Sequence, residues 1–339
     1  MEMRAKRGTW QGSWSTTGVS RGLMRSIAGV AVLAMGAGNA IAQPGPGTPD
    51  GPPVFRSGVD LVSVAAVVRD RRGQVVRNLS RDDFIVLEDG ARRRIVEFSP
   101  AEEGPVSVAL LFDVSGSMAM APNRSAAFRA VDHLLSWLNP GVDEVALYAF
   151  DSRLEEVQPF TADAEAVRGS LGRLGAFGMT SLYDAIGDVA RELGGRGSRR
   201  RAILVVTDGL DNGSRLSSAE VSGLASATDV PVYVVAVVSP IDRPGDRGSV
   251  GAGKVADAAG ALSKLAWWTG GEAFVVSGEA DASLAARAVL VALRHQYVLA
   301  FESAGAAGWK PLDIRLRRRE LTVRARSGFF STPAVRPLG

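Results

Sequence analysis

Cysteine is absent from this chain of 339 residues, and histidine occurs only twice, at His133 and His295. The lack of cysteine excludes disulfides, thiolate metal sites and lipid attachment through cysteine. The two histidines are far apart in the sequence and form no His-x₃-His pair. Metal sites built on imidazole, and hydrolysis by a Ser-His-Asp triad, therefore have few residues to use.

Long uncharged apolar runs are missing after residue 42, so no permanent transmembrane helix is predicted in the mature chain. Before that point, five basic residues precede an apolar stretch from Ile27 to about Ala37, and Ala40-Ile41-Ala42 offers a cleavage site. This pattern is typical of a secretory signal peptide over residues 1–42. We therefore expect an exported protein, either periplasmic or secreted.

The net charge depends on this export signal. Removal of residues 1–42 takes away five basic side chains and one acidic side chain, so the formal charge falls from +3 to −1. A nucleic-acid partner loses its main support, because the apparent basicity belongs mostly to the signal. Three short basic runs, at 92–94, 199–201 and 317–319, border predicted strands. We interpret them as solvated edges that discourage strand pairing.

The mature chain divides into segments of different pattern. Residues 43–58 are rich in Pro and Gly and predict a linker, and residues 59–99 predict a β segment whose strands follow one another as a meander. Strands then alternate with helices over 105–294, the first helix being expected at about 125–138. Residues 295–332 return to β structure and 333–339 form a tail. The fold class is therefore α/β, a doubly wound and mostly parallel sheet, with a small flanking β domain formed by the N- and C-terminal segments.

The motif Asp-Val-Ser-Gly-Ser at residues 113–117 directly follows the apolar run Val106–Phe112. Such a run predicts a buried parallel strand, and ligand sites of open α/β sheets lie at the carboxyl edge where the strand ends. Asp113, Ser115 and Ser117 alternate along the chain and can face one point. Oxygen donors of this kind suit a hard divalent cation such as Mg²⁺.

With this motif placed, the chain resembles the von Willebrand factor type A family over about 105–294. The metal-ion-dependent adhesion site (MIDAS) of that family combines D-x-S-x-S with a distant Thr and a distant Asp. Thr180, before a predicted helix, and Asp208, after the apolar strand ending at Thr207, match these two positions. The resemblance implies a metal site of Asp113, Ser115, Ser117, Thr180 and Asp208. An exported bacterial subgroup of the family also looks similar over nearly the whole mature chain.

The resemblance implies a function in protein binding and no catalysis. The bound ion would be Mg²⁺, or Mn²⁺ or Ca²⁺, and a carboxylate of a partner protein would complete its coordination sphere. Asp184 and Asp211 lie near the matched residues, but we interpret them as helix-start or turn residues and exclude them from the metal site.

Three alternatives remain open at this stage. The protein could be a scaffold or assembly factor whose metal is structural. It could be a Mg-dependent aspartyl phosphotransferase or phosphatase, although such enzymes need an Asp where Ser115 stands and a Lys, and no Lys lies between Asp113 and Asp208. Finally, Asp113 could cap its turn while the serines cap the helix over 125–138.

Overall fold

The structure of the chain is a computed structural model, and it describes residues 60–175, 178–196, 200–209, 211–238, 252–303 and 307–331. The predicted signal peptide at 1–42, the linker at 43–58 and the tail at 333–339 lie outside the described residues. Among the described helices, none is both long enough and apolar enough to cross a membrane.

The described residues form an alternating α/β part between two β segments. The strands are β1 (Asp60–Arg69), β2 (Phe84–Glu88), β3 (Ala91–Arg93), β4 (Ile95–Ser99), β5 (Val106–Asp113), β6 (Glu144–Phe150), β7 (Leu154–Thr161), β8 (Arg200–Thr207), β9 (Val232–Val237), β10 (Ala273–Val276), β11 (Tyr297–Ser303), β12 (Gly308–Leu316), β13 (Thr322–Ala325) and β14 (Gly328–Ser331). The helices are α1 (Ala121–Ser136), α2 (Ala164–Leu171), α3 (Leu182–Gly194), α4 (Ser218–Ala227), α5 (Ala252–Thr269) and α6 (Glu279–Arg294).

The central sheet has the strand order β10-β9-β8-β5-β6-β7, and only β7 runs antiparallel to its neighbour. Every residue of β5 is buried, which explains its unbroken apolar run, since helices cover both faces of the sheet. Alternate side chains of β5 enter two separate cores. Val108 and Leu110 pack with α1 and α6, and Ala109 and Leu111 pack with α3, α4 and α5. The predicted doubly wound α/β fold is confirmed.

The two β segments pair with each other, as predicted. Strand β1 lies between β11 and β13, and β4 lies beside β11, so this antiparallel sheet mixes strands from both ends of the mature chain. A second antiparallel sheet has the order β14-β12-β2-β3. A third core, which includes Phe84, Tyr297 and Phe301, lies in this β part.

The predicted meander over 59–99 is wrong. Strands β1 and β2 follow each other in the chain but lie in different sheets, and only the hairpin β2–β3 pairs sequential strands of this segment. The physical reason is that β1 and β2 pair over more positions with β11 and β12 of the C-terminal segment than with any strand of their own segment. Strand β1 pairs with β11 over seven positions, from Asp60↔Ser303 to Ala66↔Tyr297.

The interpretation of the basic run at 199–201 as a solvated edge is also wrong for its described residues. Arg200 and Arg201 begin β8, a central strand. One terminal nitrogen of Arg201 donates hydrogen bonds to the carbonyls of Leu193 and Arg196, at 2.6 Å each, at the end of α3. A cation at the C-terminus of a helix satisfies its last carbonyl groups and interacts well with the helix dipole. Arg201 therefore serves the packing of α3.

Candidate metal centre

The candidate site lies where the strand order of the central sheet reverses. The chain passes from β5 outward through β6 and β7, then returns to β8 on the other side of β5 and continues outward to β9 and β10. The carboxyl ends of β5 and β8 are therefore neighbours, with Phe112 paired to Val206. In open α/β sheets, ligands bind in the crevice at such a switch point.

Asp113 ends β5 and is fully buried. Its Oδ1 accepts the backbone N–H of Ser115 at 2.8 Å, and its Oδ2 accepts the Thr207 hydroxyl at 2.6 Å. Burial raises the pKa of Asp113 to about 6, the hydrogen bonds from Thr207 and Ser115 oppose this rise, and the nearby charge of Asp208 adds to it. A buried carboxylate beside a second one is costly unless a cation compensates the charge.

The two serines of the motif face each other. Ser115 is buried, and its Oγ lies 3.2 Å from the Oγ of Ser117. Neither serine caps α1, which begins at Ala121 after Met120 and has no side-chain cap. Capping of that helix by the serines is therefore wrong, although Asp113 does cap its own turn through the Ser115 N–H.

Thr180 lies in a loop held against the neighbouring loops by backbone hydrogen bonds. Its N–H donates to Asn212 Oδ1 at 2.8 Å, and its carbonyl accepts the N–H groups of Asn212 and Gly213 at 3.0 Å each. In the same loop, the Gly178 carbonyl accepts the N–H of Gly116 at 3.4 Å. These bonds bring the threonine loop to the D-x-S-x-S loop and to the loop after Asp208. Thr180 itself is buried.

Asp208 has an unpartnered carboxylate oxygen that indicates an additional ligand at the site. Its Oδ1 is buried and has no hydrogen-bond partner among the described residues. A buried carboxylate oxygen without a donor costs free energy that a bound cation would recover. The charge of Asp208 raises the pKa of Asp113, so the two carboxylates are neighbours at this site.

The donor set therefore fits a hard divalent ion. It offers two carboxylates and three hydroxyl groups, all oxygen ligands. Within the described part of the chain, no three His, Asp or Glu side chains come together as a metal site. An ion at the end of β5 would have to be held partly by hydroxyl groups, as the sequence predicts.

Asp184 and Asp211 hold the local backbone, as predicted. Asp211 Oδ1 accepts the N–H of Leu182, the first residue of α3, at 2.9 Å, and the Ser214 hydroxyl at 2.7 Å. Asp184 Oδ1 accepts the N–H of Leu216 at 2.9 Å. Both carboxylates fix the loop between β8 and α4 to the start of α3.

Two residues that position the site were not predicted from the sequence. Thr207 is buried and donates to Asp113 while its Oγ1 accepts the N–H of Gly209 at 3.0 Å. Asn212 joins the loop after β8 to the Thr180 loop through its side chain and its backbone. A polar residue at the end of the apolar run 202–206 was the available signal for Thr207, and Asn212 gave none.

Comparison with known proteins supports the predicted resemblance. Residues 108–210 match the family model of the von Willebrand factor type A domain, which confirms that resemblance over this segment. A search of curated proteins gives no match.

Three solved structures that are similar to parts of the chain have TM-scores below 0.5. BatB from Bacteroides thetaiotaomicron has 18% identity and a TM-score of 0.44 over 54% of this chain and 97% of BatB. A von Willebrand factor type A protein from Catenulispora acidiphila has 14% identity and a TM-score of 0.46 over 81% of this chain and 74% of its own. Proximal thread matrix protein 1 from the mussel byssus, with a zinc-occupied MIDAS motif, has 16% identity and a TM-score of 0.45 over 62% of this chain and 50% of its own.

Proposed function

We propose that this chain, which carries a von Willebrand factor type A domain over the segment 108–210, is an exported module that binds a partner protein through a divalent metal ion. Asp113, Ser115, Ser117, Thr180 and Asp208 would hold the ion, directly or through water. When bound, the ion supplies a Lewis-acidic position that a carboxylate of the partner can occupy. The protein has no catalytic role in this proposal.

The observation that carries the proposal is the buried, unpartnered Oδ1 of Asp208, close to the desolvated carboxylate of Asp113. Two carboxylates balance the charge of one divalent cation, and the remaining donors are neutral hydroxyls. An ion held in this way stays attractive to a further anionic ligand, because its protein ligands do not overcompensate its charge. We propose Mg²⁺, with Mn²⁺ and Ca²⁺ as the other oxygen-preferring candidates.

Exposed apolar side chains beside the site support binding to a protein surface. Met120 follows the serine loop and Met179 precedes Thr180, and each is 57% exposed. Methionine adapts its shape to different apolar surfaces, which suits a binding face. A partner carboxylate at the metal would bring apolar neighbours onto these two side chains.

The test is capture of partners by the mature chain from its native source, in Mg²⁺ and in excess chelator. We expect capture in Mg²⁺ only, and loss of that capture in Asp113→Ala. Asp188→Ala is the matched control, because Asp188 is an exposed aspartate of α3 whose side chain is 60% accessible. Direct titration with Mg²⁺, Mn²⁺ and Ca²⁺ should give one binding site per chain in the wild type and the control, and none in Asp113→Ala.

The same experiment separates the alternatives. A scaffold with a structural metal would bind the ion in the titration and would still capture its partner after the chelator. Metal-independent capture by Asp113→Ala would contradict the proposed role of the ion. An aspartyl phosphotransferase would hydrolyse a phosphate ester in Mg²⁺, and Asp113→Asn would abolish that turnover.

A further inference from the structure

A second concave site lies in the β part, and arginines line it. The cavity has a volume of about 480 Å³, and Phe84 and Ile95, both buried, contribute apolar surface to it. The charged residues around it are Arg81, Arg92, Arg93, Arg94, Arg317 and Asp82. Two of the basic runs seen in the sequence, more than two hundred residues apart, thus converge on one cavity.

Sheet pairing explains why these arginines meet. Strand β12 pairs with β2 up to Leu316↔Phe84, which places Arg317 beside the start of β2. Strand β2 pairs with β3 at Val86↔Arg93, which folds the second basic run back over the same end. The cavity therefore depends on the joining of the N- and C-terminal segments and cannot form in either segment alone.

Two of the five guanidinium groups are anchored by only one nitrogen each. Arg93 Nε donates at 2.5 Å to Glu88, which is fully buried and also accepts the Ser303 hydroxyl. Arg317 Nε donates to the Asp82 carbonyl at 2.7 Å. Since a guanidinium carries five N–H donors, the terminal nitrogens of both groups can still bind a ligand. Binding by groups held in place loses less side-chain entropy.

The charge around the cavity is not neutralised. The side chains of Arg81, Arg92 and Arg94 are exposed and make no hydrogen bond or ion pair within the described part of the chain. Glu88 and Asp82 offset two of the five positive charges, so an excess of three remains. Such an excess in a concave site attracts anions and favours ligands with several negative charges.

We propose that this cavity binds a small ligand that carries two phosphate groups. Each phosphate contributes a charge of about −1.5 to −2 at pH 7 and three acceptor oxygens, so two of them match the excess of positive charge in little volume. An acidic peptide would need three or more carboxylates, and it would bring the backbone of as many residues. Arginine forks also bind phosphate oxygens in pairs. The site is independent of the metal centre.

The experiment is calorimetric titration of the mature chain with pyrophosphate at about 150 mM salt, with chelator present so that no divalent ion joins the ligand to Asp113 and Asp208. We expect one site per chain and at least a tenfold weaker affinity in the double variant Arg92→Gln/Arg94→Gln. The control is Arg71→Gln/Arg72→Gln, which makes the same charge change in an exposed turn that does not line the cavity. We expect that control to bind as the wild type does.

Further arms identify the source of the phosphate groups. Sedimentation with vesicles that contain phosphatidylinositol bisphosphate, if it is lost in Arg92→Gln/Arg94→Gln, would assign the phosphate groups to a lipid headgroup. Titration by pyrophosphate alone would assign them to a soluble compound. Either result supports the proposal. Absence of binding to both probes, equal losses in the two double variants, or binding of a poly-glutamate peptide in place of pyrophosphate would overturn it.

Discussion

At the scale of single residues, the two carboxylates of the candidate metal centre differ in the number of hydrogen bonds that they accept. Both oxygens of Asp113 accept hydrogen bonds, from Ser115 and Thr207, whereas Oδ1 of Asp208 accepts none among the described residues. Asp113 is therefore oriented by the protein before any ion arrives. Asp208 is the carboxylate that gains most from the ion, because a metal contact would replace a missing hydrogen bond.

The hydroxyl of Thr207 should tune the metal affinity without contacting the ion. Thr207→Val keeps the shape of the side chain and the preference for β structure but removes the donor to Asp113 and the acceptor for Gly209. We expect Mg²⁺ affinity to fall about 10-fold to 100-fold, because hydrogen bonds behind a ligand fix its orientation. The free energy of unfolding should fall by about 1–3 kcal/mol. Titration calorimetry and urea denaturation measure the two effects.

Thr207→Ser is the matched control, since it restores the hydroxyl in a smaller side chain. Its Mg²⁺ affinity should return to within about threefold of the wild type, an approximate factor that corresponds to less than one neutral hydrogen bond. Unchanged Mg²⁺ affinity in Thr207→Val would show that the hydrogen bond from Thr207 to Asp113 does not contribute to metal binding. A loss of affinity that Thr207→Ser shares would point to packing and not to the hydrogen bond.

The sequence predicted the five oxygen-bearing residues of the candidate site but not the residues that orient them. Asp113 and Asp208 could be placed because each directly follows an apolar strand, and strand ends meet at one edge of a parallel sheet. Asn212 could not, since its role depends on the path of a loop, for which hydrophobic patterning gives no information. Whether an ion binds at these residues stays a prediction.

At the scale of elements, the metal centre depends on three loops whose backbones are bonded to one another. Gly178 is one position in these loops where a side chain does not fit. Its φ angle is +88°, and a Cβ added there would lie 2.8 Å from Asp151 Oδ2. Its carbonyl also accepts the N–H of Gly116 in the serine loop. A side chain at this position would therefore displace the segment that carries Thr180.

Gly178→Ala should weaken metal binding more than it weakens the fold. The left-handed backbone costs an alanine about 1–2 kcal/mol, and the contact with Asp151 shifts the Thr180 loop away from the serines. We expect at least a tenfold loss of Mg²⁺ affinity by calorimetry. Gly73→Ala is the control, because Gly73 has a φ of +77° and open space around it. It should lose similar stability and keep its Mg²⁺ affinity; equal affinities in both variants would contradict the role of this loop.

Element boundaries show where local patterns are enough and where they are not. Strand β6 (Glu144–Phe150) and helix α4 (Ser218–Ala227) each coincide with an apolar repeat that polar residues border at both ends. Helix α1 begins at Ala121, four residues before its predicted start. Its first turn lacks an apolar repeat, and Pro122, which is favoured in the first turn of a helix, was the signal for the earlier start.

At the scale of the whole molecule, the β part is built from both ends of the described chain, so its partners cannot be read from local sequence. Strand β1 has its neighbours in β11 and β13, and β2 has one in β12. The turns between β1 and β4 indicated hairpins, but turn residues do not show which distant strand a given strand will pair with. Long-range pairing of this kind joins the N-terminal β segment to the C-terminal β segment.

Arg326 joins these parts through buried contacts and should be a main determinant of global stability. It is 7% exposed and follows β13. It donates to the carbonyl of Ser226 in α4 at 2.6 Å and to that of Ser63 in β1 at 2.5 Å, and its Nε lies 3.2 Å from Asp229 Oδ1. One side chain thus connects the N-terminal strand, the α/β part and the C-terminal segment.

Arg326→Met should therefore lower the free energy of unfolding by about 3 kcal/mol, since the carbonyls of Ser226 and Ser63 lose their donor and Asp229 loses its ion-pair partner. We expect urea unfolding to remain a single transition, because neither β segment has its strand partners without the other. Arg324 lies two residues earlier, and its side chain makes no hydrogen bond or ion pair among the described residues. Arg324→Met should therefore change stability by less than about 0.5 kcal/mol. Equal effects of the two variants would show that the contacts of Arg326 do not determine global stability. A separate early transition of the wild type would show that the β part and the α/β part unfold independently.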